Sequence, residues 1–129
     1  SVFGGGREIA DARGAAARLK TVEAQAEGAE AQATLERRSA DEAFAVALQR
    51  SAIADTAVTQ SGEALRIVRK KYDGGLATVS ELLDAAAADT QVRLMQADAR
   101  YRVITAAAAR LRAWGANPAA LAALDPDLR

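Results

Sequence analysis

Two carboxylates, Glu81 and Asp84, closely follow a pair of glycines in the stretch YDGGLATVSELLDA, residues 72–85. Acids three residues apart share one face of a helix, and together they repel anions such as phosphate. Glu81 also has a local alternative, because Thr78 and Glu81 have the spacing of a capping box. In that motif the threonine hydroxyl accepts from the N3 backbone N–H and the N3 carboxylate accepts from the N-cap N–H. Glu81 could therefore act as a helix cap or as a functional acid, and the sequence leaves both roles open. Asp84 has no capping role of this kind.

Other chemistry is scarce in this sequence. The chain contains no histidine and no cysteine, which removes the commonest general base and the commonest transition-metal ligands. The stretches GGGR and DGGLATVS could bind an anion at a helix N-terminus, but neither has Walker spacing or a following lysine-Ser/Thr pair. We predict no catalytic residue, no metal site and no cofactor, and we expect that the protein is not an enzyme. An anion-binding enzyme module is a weak alternative. A membrane-surface helix is weaker still, because the polar faces mix both charges and the mostly alanine apolar face gives little insertion energy.

Composition narrows the class of protein further. The chain has 129 residues with 17 basic and 17 acidic side chains, so its formal net charge is zero. Nucleic-acid binding usually needs a basic excess, and no such partner is expected. No run of about eighteen apolar residues is present to span a membrane, and no signal peptide is visible before the first helix. Alanine forms about a quarter of the chain while aromatics form 4%, which is typical of long helices in close contact.

Proline and glycine positions predict where the elements lie. No proline occurs between Arg7 and Lys71, so one long helix is predicted there. Gly115, followed by an Asn-Pro pair, is typical of a helix end. The predicted segments are a strand-to-helix turn over residues 1–6, a long helix over 7–72, a hairpin tip over 73–77, a return helix over 78–115 and a C-terminal tail over 116–129.

Heptad spacing predicts which side of each helix is buried. In the long helix, one column of residues seven apart starts at Ile9 and is charged in its middle third. Its companion column, Ala12 to Val68, is small and apolar nearly throughout, which predicts close helix approach along alanine. In the return helix the predicted buried column is Leu83, Ala87, Thr90, Leu94, Ala97, Tyr101, Ile104, Ala108 and Leu111. Tyr101 is accordingly expected in the core.

The break between the helices can be interpreted residue by residue. Lys70 and Lys71 complement the negative end of the first helix dipole, and one of the two glycines is expected to adopt the left-handed conformation that ends a helix. Leu76 and Val79 would then be apolar groups at an exposed tip, which suggests a contact site. The residues predicted to form the turn and the cap are Tyr72, Gly74, Gly75, Thr78 and Glu81.

Together these elements predict an all-α fold, a long antiparallel α-helical hairpin of the coiled-coil kind with unequal arms. The half of the long helix near Arg7 has no partner in this sequence, although an amphipathic helix needs its apolar face covered. We therefore expect the chain to be part of something larger, or a protomer completed by other chains.

Three sequence motifs, in their order along the chain, resemble those of one known family, the TolC-like outer-membrane efflux proteins. Residues 72–85 are similar to the family's Y-x-x-G-x-x-x-x-x-D-V-L-D-A signature at the tip of its periplasmic hairpin. The opening VFGGGRE, residues 2–8, resembles the family's L-F-x-G-G-R. The C-terminal stretch AAARLRAWGANPAALAALD resembles the family's alanine-rich final helix, which ends in L-x-x-L-G and is followed by a short tail. The resemblance covers essentially the whole chain.

The resemblance implies an architecture that accounts for the unequal arms. In that family each repeat has one very long helix faced by two shorter helices stacked end to end. This chain would hold the long helix and the tip-proximal short helix of one repeat, as its C-terminal part. The other short helix and the barrel strands would precede Ser1.

The resemblance also implies a function. Members of the family form homotrimers, and their barrel and α-helical tunnel cross the outer membrane and periplasm of a Gram-negative-type cell. The hairpin tips narrow the periplasmic entrance and dock a periplasmic adaptor (membrane-fusion) protein, while an inner-membrane pump drives small molecules through this tripartite pump. This segment would be periplasmic and soluble, connected to the outer membrane only through barrel strands that are absent from this chain.

Site residues follow from the resemblance by position. The tip that would contact the adaptor consists of Gly75, Leu76, Ala77 and Thr78. Glu81 and Asp84 occupy the positions of the acidic ring at the pore entrance, where their field would favour cations. Two departures matter: Glu81 replaces the first Asp of the ring and has a longer reach. Ala77 is uncharged where some members carry a basic or polar residue, so it offers no ionic latch.

A second class of protein fits the same periodicity. A structural coiled-coil hairpin or adaptor-type interaction module, without a channel role, would show the same heptads and the same alanine content. The unequal arms and the VFGGGR opening count against it. Crosslinking at the tip distinguishes the two, because only the channel hairpin is expected to contact a periplasmic adaptor there.

Overall fold

A computed structural model describes residues 2–115 of the chain, with side chains from residue 4 onward. It contains two α-helices, α1 (Val2–Asp73) and α2 (Val79–Ala113), of 72 and 35 residues. No strand occurs among these residues. The all-α class and the unequal helices agree with the prediction from sequence, and Gly115 follows the end of α2 as expected. The predicted tail over residues 116–129 lies outside the described part of the chain.

Helix α1 begins earlier than the sequence suggests. It includes residues 4–6, where the sequence predicts a turn, and these glycines do not have positive φ angles. Glycine can adopt helical as well as turn conformations. Each residue added to an existing helix also gains one backbone hydrogen bond. A strand-to-helix turn over residues 1–6 is therefore not what the described residues show.

The chain divides into two compact units, Ser1–Arg38 and Ser39–Arg129. The first unit is a single helical segment, the N-terminal part of α1. From residue 4 onward, its larger apolar side chains are all more than half exposed: Ile9, Leu19, Val22 and Leu35. As the sequence predicts, this segment has an apolar face with no second helix in its own unit to cover it.

The second unit contains the antiparallel hairpin formed by the rest of α1 and by α2. The inner face of α1 has the predicted 3–4 spacing and consists mostly of alanine, serine and valine, with two larger residues: Ala40, Phe44, Ala47, Ser51, Ala54, Val58, Ser61, Leu65 and Val68. Ala47 and Ala54 are its most buried residues. The predicted alanine seam is thus confirmed in this unit, and it brings the two backbones close together.

The buried face of α2 differs from the prediction. Ala99 is 8% exposed, whereas Tyr101, expected in the core, is 65% exposed. The residues that face α1 are Leu82, Ala85, Asp89, Val92, Gln96, Ala99, Val103, Ala106 and Ala113. Of the predicted column from Leu83 to Leu111, Ala108 alone is half-buried. The physical reason is space: an alanine seam on α1 leaves room for alanine and valine on α2, and not for a row of leucine and tyrosine.

Polar side chains close one edge of the hairpin. Asp41 accepts from the Arg110 guanidinium at 2.7 Å and from the Trp114 indole at 3.0 Å. Asp55 accepts from the Gln96 amide at 2.7 Å and from Arg100 at 3.1 Å. These hydrogen bonds lower the pKa of both carboxyls, chiefly through Trp114 for Asp41 and through Gln96 for Asp55. Because the groups are exposed, their main effect is to fix the alignment of the two helices rather than to stabilise them strongly.

A third polar contact lies within the seam itself. Asp89 is 7% exposed and accepts from the Ser61 hydroxyl at 2.7 Å and from Arg93 Nε at 2.9 Å. The contact with Ser61 joins the two helices. A carboxylate on a buried face is tolerated only with such partners, so Asp89 and Ser61 favour one register of α1 against α2.

Asp89 is expected to make stability sensitive to acid. Hydrogen bonds from Arg93 and then Ser61 lower its pKa below the ordinary value of 3.8. The stabilisation by its ionised form is therefore present above pH 3.8 and is lost as the pH falls through the lower folded-state pKa. Replacing Asp89 by Asn should reduce the urea midpoint at neutral pH and weaken its acid dependence, as measured by circular dichroism.

The matched control for this prediction is Asp98→Asn. Asp98 also binds an arginine four residues on, Arg102, but the pair is well exposed. Its loss should change the urea midpoint little. If Asp89→Asn and Asp98→Asn behave alike at neutral and at acid pH, the register contact with Ser61 does not stabilise the hairpin as inferred.

Neither α1 nor α2, over the residues described, has a window apolar and uncharged enough to cross a membrane.

Candidate functional site at the hairpin tip

Helix α1 ends in a Schellman motif. The Leu76 N–H donates to the Lys71 carbonyl at 2.7 Å, and the Gly75 N–H donates to the Tyr72 carbonyl at 3.0 Å. Gly75 is left-handed, with φ of 75°, as the C′ position of this motif requires. Of the two adjacent glycines it is Gly75 that makes the turn. Gly74 does not have a positive φ, and its N–H donates to the Lys70 carbonyl at 3.1 Å.

Helix α2 starts with the predicted capping box. The Thr78 hydroxyl accepts from the Glu81 N–H at 3.1 Å, and the Glu81 carboxylate accepts from the Thr78 N–H at 2.7 Å. Thr78 has the extended conformation of an N-cap residue, with φ −83° and ψ 161°. The chain therefore leaves α1 and enters α2 through two hydrogen-bonded caps.

The two acids of this region are in different situations. Both are exposed, but one oxygen of Glu81 is held by the backbone of Thr78. Asp84 forms no hydrogen bond or ion pair within the described residues. Asp84 is accordingly the carboxylate that is available to an ion or a partner, and Glu81 acts first as a cap.

Apolar side chains are exposed around the turn. Leu76 is 82% exposed, and Val79 and Leu83 on the first turns of α2 are more than half exposed. Ala77 is half-buried and Thr78 is exposed. A leucine at the C″ position of a Schellman motif often packs back on its helix, but Leu76 points into solvent. The tip therefore presents a small apolar surface on a backbone that its own hydrogen bonds hold in place.

The apolar surface continues along α2, on the side away from α1. Leu83, Leu94, Tyr101, Ile104 and Leu111 are all exposed at heptad spacing. This outer stripe is the column that the sequence assigns to the core. Helix α2 thus has two apolar faces on opposite sides, an inner one of small residues and an outer one of large residues.

Sequence reasoning missed Asp89 and the two carboxylates on the polar edge, Asp41 and Asp55. Asp89 lies on the inner face of α2, next to Thr90 of the predicted column but not in that column, so no signal singled it out. Asp41 and Asp55 are fourteen residues apart, at equivalent heptad positions, and this spacing could have marked them as one edge.

Among residues 2–115, no group of three or more Asp, Glu, His or Cys side chains comes together as a metal site would require. Comparisons with known proteins identify no relative: no family model, no curated protein and no solved structure matches this chain. The functional assignment accordingly depends on the geometry of the hairpin and on the resemblance of its sequence motifs.

Proposed function

We propose that this chain is the periplasmic hairpin of a TolC-like outer-membrane efflux channel, forming part of the tunnel wall and its periplasmic entrance. The observation that carries the proposal is the tip. A Schellman motif and a capping box, separated only by Ala77, fix a short turn that projects Leu76 into solvent. A fixed turn with an exposed leucine is suited to dock another hairpin tip, since little conformational entropy is lost on binding.

The two apolar faces of α2 support a place in a tunnel wall. A helix in such a wall has a neighbour on each side, and α2 has an inner face on α1 and an outer stripe, Leu83 to Leu111, on the opposite side. In an isolated spacer hairpin the second stripe would have no neighbour and would remain in water. In the proposed homotrimer of the full-length protein this stripe would be covered by a neighbouring helix.

The entrance of the channel is proposed to depend on Asp84 more than on Glu81. The Glu81 carboxylate is already hydrogen-bonded to the Thr78 backbone, whereas Asp84 is free of such contacts within the described residues. Three copies of Asp84 around a narrow pore would favour cations there. The parent protein is proposed to reside in the outer membrane and periplasm, with the pump in the inner membrane reached through the adaptor.

The test is crosslinking at the tip in cells that produce the protein. The chain has no cysteine, so Leu76→Cys introduces a unique thiol for a thiol-reactive photocrosslinker. We expect the product to contain a periplasmic adaptor protein, identified by mass spectrometry. The matched control is Leu48→Cys, also exposed but distant from the tip, which should give no adaptor product.

Two outcomes contradict the proposal. A spacer hairpin would give no adaptor product from Leu76→Cys in cells that contain the adaptor. The coding sequence upstream of Ser1 gives an independent check, because a channel should encode strands and a second helical hairpin there. A complete cytosolic reading frame without them would exclude the channel.

A further inference from the structure

A chemically labile pair of residues, Asp73 and Gly74, lies at the end of α1. It is the only Asp-Gly pair in the chain, and no Asn-Gly pair occurs. In such a pair the backbone nitrogen of the glycine can attack the carboxyl carbon of the preceding side chain, because glycine has no Cβ to hinder the approach. Asp73 is the last residue of α1, and both residues are exposed. The pair is therefore accessible to water at a position where helices fray.

The contacts around this pair decide when the attack can occur. The Asp73 carboxylate forms no hydrogen bond or ion pair within the described residues, so its side chain can turn towards the next peptide group. The Gly74 N–H donates to the Lys70 carbonyl at 3.1 Å, and this bond engages the hydrogen that the nitrogen has to lose. The reaction therefore requires a local opening of the last turn of α1, while the rest of the hairpin stays folded.

We propose that Asp73 is a site of spontaneous isomerisation to isoaspartate, controlled by opening of the last turn of α1. The bond that forms joins the Gly74 nitrogen to the side-chain carboxyl carbon of Asp73, and the bond that breaks is the C–OH bond of that carboxyl group. The nitrogen loses its proton, one water molecule leaves, and a cyclic succinimide results. Water then adds at either ring carbonyl, which restores aspartate or gives isoaspartate.

The modification changes the geometry of the tip. In isoaspartate the main chain runs through the former side chain of residue 73 and is longer by one methylene group, while the net charge is unchanged. The two hydrogen bonds of the Schellman motif, donated by Gly75 and Leu76, both span this residue. They cannot both keep their geometry with an additional carbon atom between donor and acceptor. Isomerisation therefore loosens the turn that orients Leu76.

This inference does not depend on the proposed channel function, because it concerns the covalent chemistry of one pair of residues. A failure of Leu76→Cys to crosslink an adaptor leaves it standing. An unmodified Asp73 likewise leaves the adaptor proposal standing.

The first test is peptide mapping of the full chain after incubation for several weeks at neutral pH in water enriched in heavy oxygen. Each site that passes through a succinimide takes up the heavy oxygen when the ring is hydrolysed. Trypsin, used in ordinary water, then releases residues 72–93 as one peptide, since residues 72–92 contain no lysine or arginine. Fragmentation of this peptide locates the label. We expect label and isoaspartate at Asp73.

Asp84 is the matched control within the same peptide. Its carboxylate is exposed and has no partner among the described residues, but it is followed by Ala85, which has a Cβ and is half-buried within α2. Asp84 should remain unlabelled. No label at Asp73, or equal labelling of Asp73 and Asp84, overturns the inference. The Gly74→Ala variant keeps the turn but hinders the attack, so labelling of its Asp73 should fall severalfold.

The second test changes the stability of the turn. Gly75→Ala leaves Asp73 and Gly74 in place, and its expected destabilisation by about 1–2 kcal/mol corresponds to a factor of about 5–30 in the opening equilibrium. Labelling of Asp73 should become faster by that factor, because the reaction proceeds through the open turn. Labelling of the unsubstituted chain unfolded in urea should be faster than in the native chain. An unchanged rate in Gly75→Ala or in urea would show that opening of the turn does not control the reaction.

Discussion

Replacing Ala99 by leucine is expected to destabilise the hairpin by about 1–3 kcal/mol, the usual effect of adding volume to a filled contact. Ala99 is 8% exposed and faces the alanine seam of α1, where Ala47 and Ala54 are equally buried. Ala99 also lines a groove on the edge of the hairpin opposite Asp41 and Asp55, so a leucine there either turns into that groove or moves the two helices apart. Separation would weaken the hydrogen bonds between Ser61 and Asp89 and between Asp55 and Gln96. The measurement is the free energy of unfolding from urea titration, followed by circular dichroism.

The control for Ala99→Leu is the same substitution two residues earlier. Ala97 belongs to the column that periodicity assigns to the core, but it is exposed in the structure. Ala97→Leu should change the free energy of unfolding by less than about 0.5 kcal/mol. The opposite ranking, with Ala97→Leu the more harmful, would show that α2 faces α1 with its outer stripe and that the register described above is wrong.

Gly75→Ala is the second substitution with a large expected effect, a loss of about 1–2 kcal/mol in the free energy of unfolding. Gly75 has φ of 75°, and a Cβ at this φ collides with its own backbone although no other atom is within 4 Å. The neighbouring Gly74→Ala provides the control. Its Cβ would lie at ordinary contact distance from the Lys70 and Lys71 carbonyls, so its effect should be slight.

Gly75→Ala also tests whether the tip geometry matters for docking. If the proposed function holds, the alanine should reduce crosslinking of the adaptor through Leu76→Cys, since the turn no longer holds Leu76 in place. Equal stability of the two alanine variants would contradict the Schellman assignment. Equal adaptor crosslinking despite a destabilised Gly75→Ala hairpin would show that docking does not require the fixed turn.

The small residues of the alanine seam explain why association with other helices is expected. The most buried apolar residues of the described chain are alanines, Ala47, Ala54 and Ala99. Each removes little apolar surface from water, so each stabilises the hairpin only slightly. The larger side chains Ile53, Met95, Tyr101 and Ile104 remain mostly exposed, on the edge opposite Asp41 and Asp55 or on the outer stripe. Covering them in an assembly would remove further apolar surface from water and so stabilise the helices.

Local signals in the sequence predicted the tip in detail. Thr78 and Glu81 have the three-residue spacing at which a side chain and a backbone N–H can reach each other, and the capping box they form needs no information from the rest of the chain. The glycine pair likewise predicted the helix end, although it took the structure to show that Gly75, and not Gly74, has the left-handed conformation. Contacts between residues this close in sequence depend on those residues and not on the rest of the fold.

The sequence by itself determined that the chain is a helical hairpin of unequal arms, where it turns, and which face of α1 carries the alanine seam. The tertiary structure alone decided which side of α2 meets that seam, and therefore that Asp89 is buried and Tyr101 is exposed. The reason is that a heptad repeat in an alanine-rich helix can be traced along more than one face. Which face is buried depends on the space that the other helix leaves, and that space exists only once the two helices are in contact.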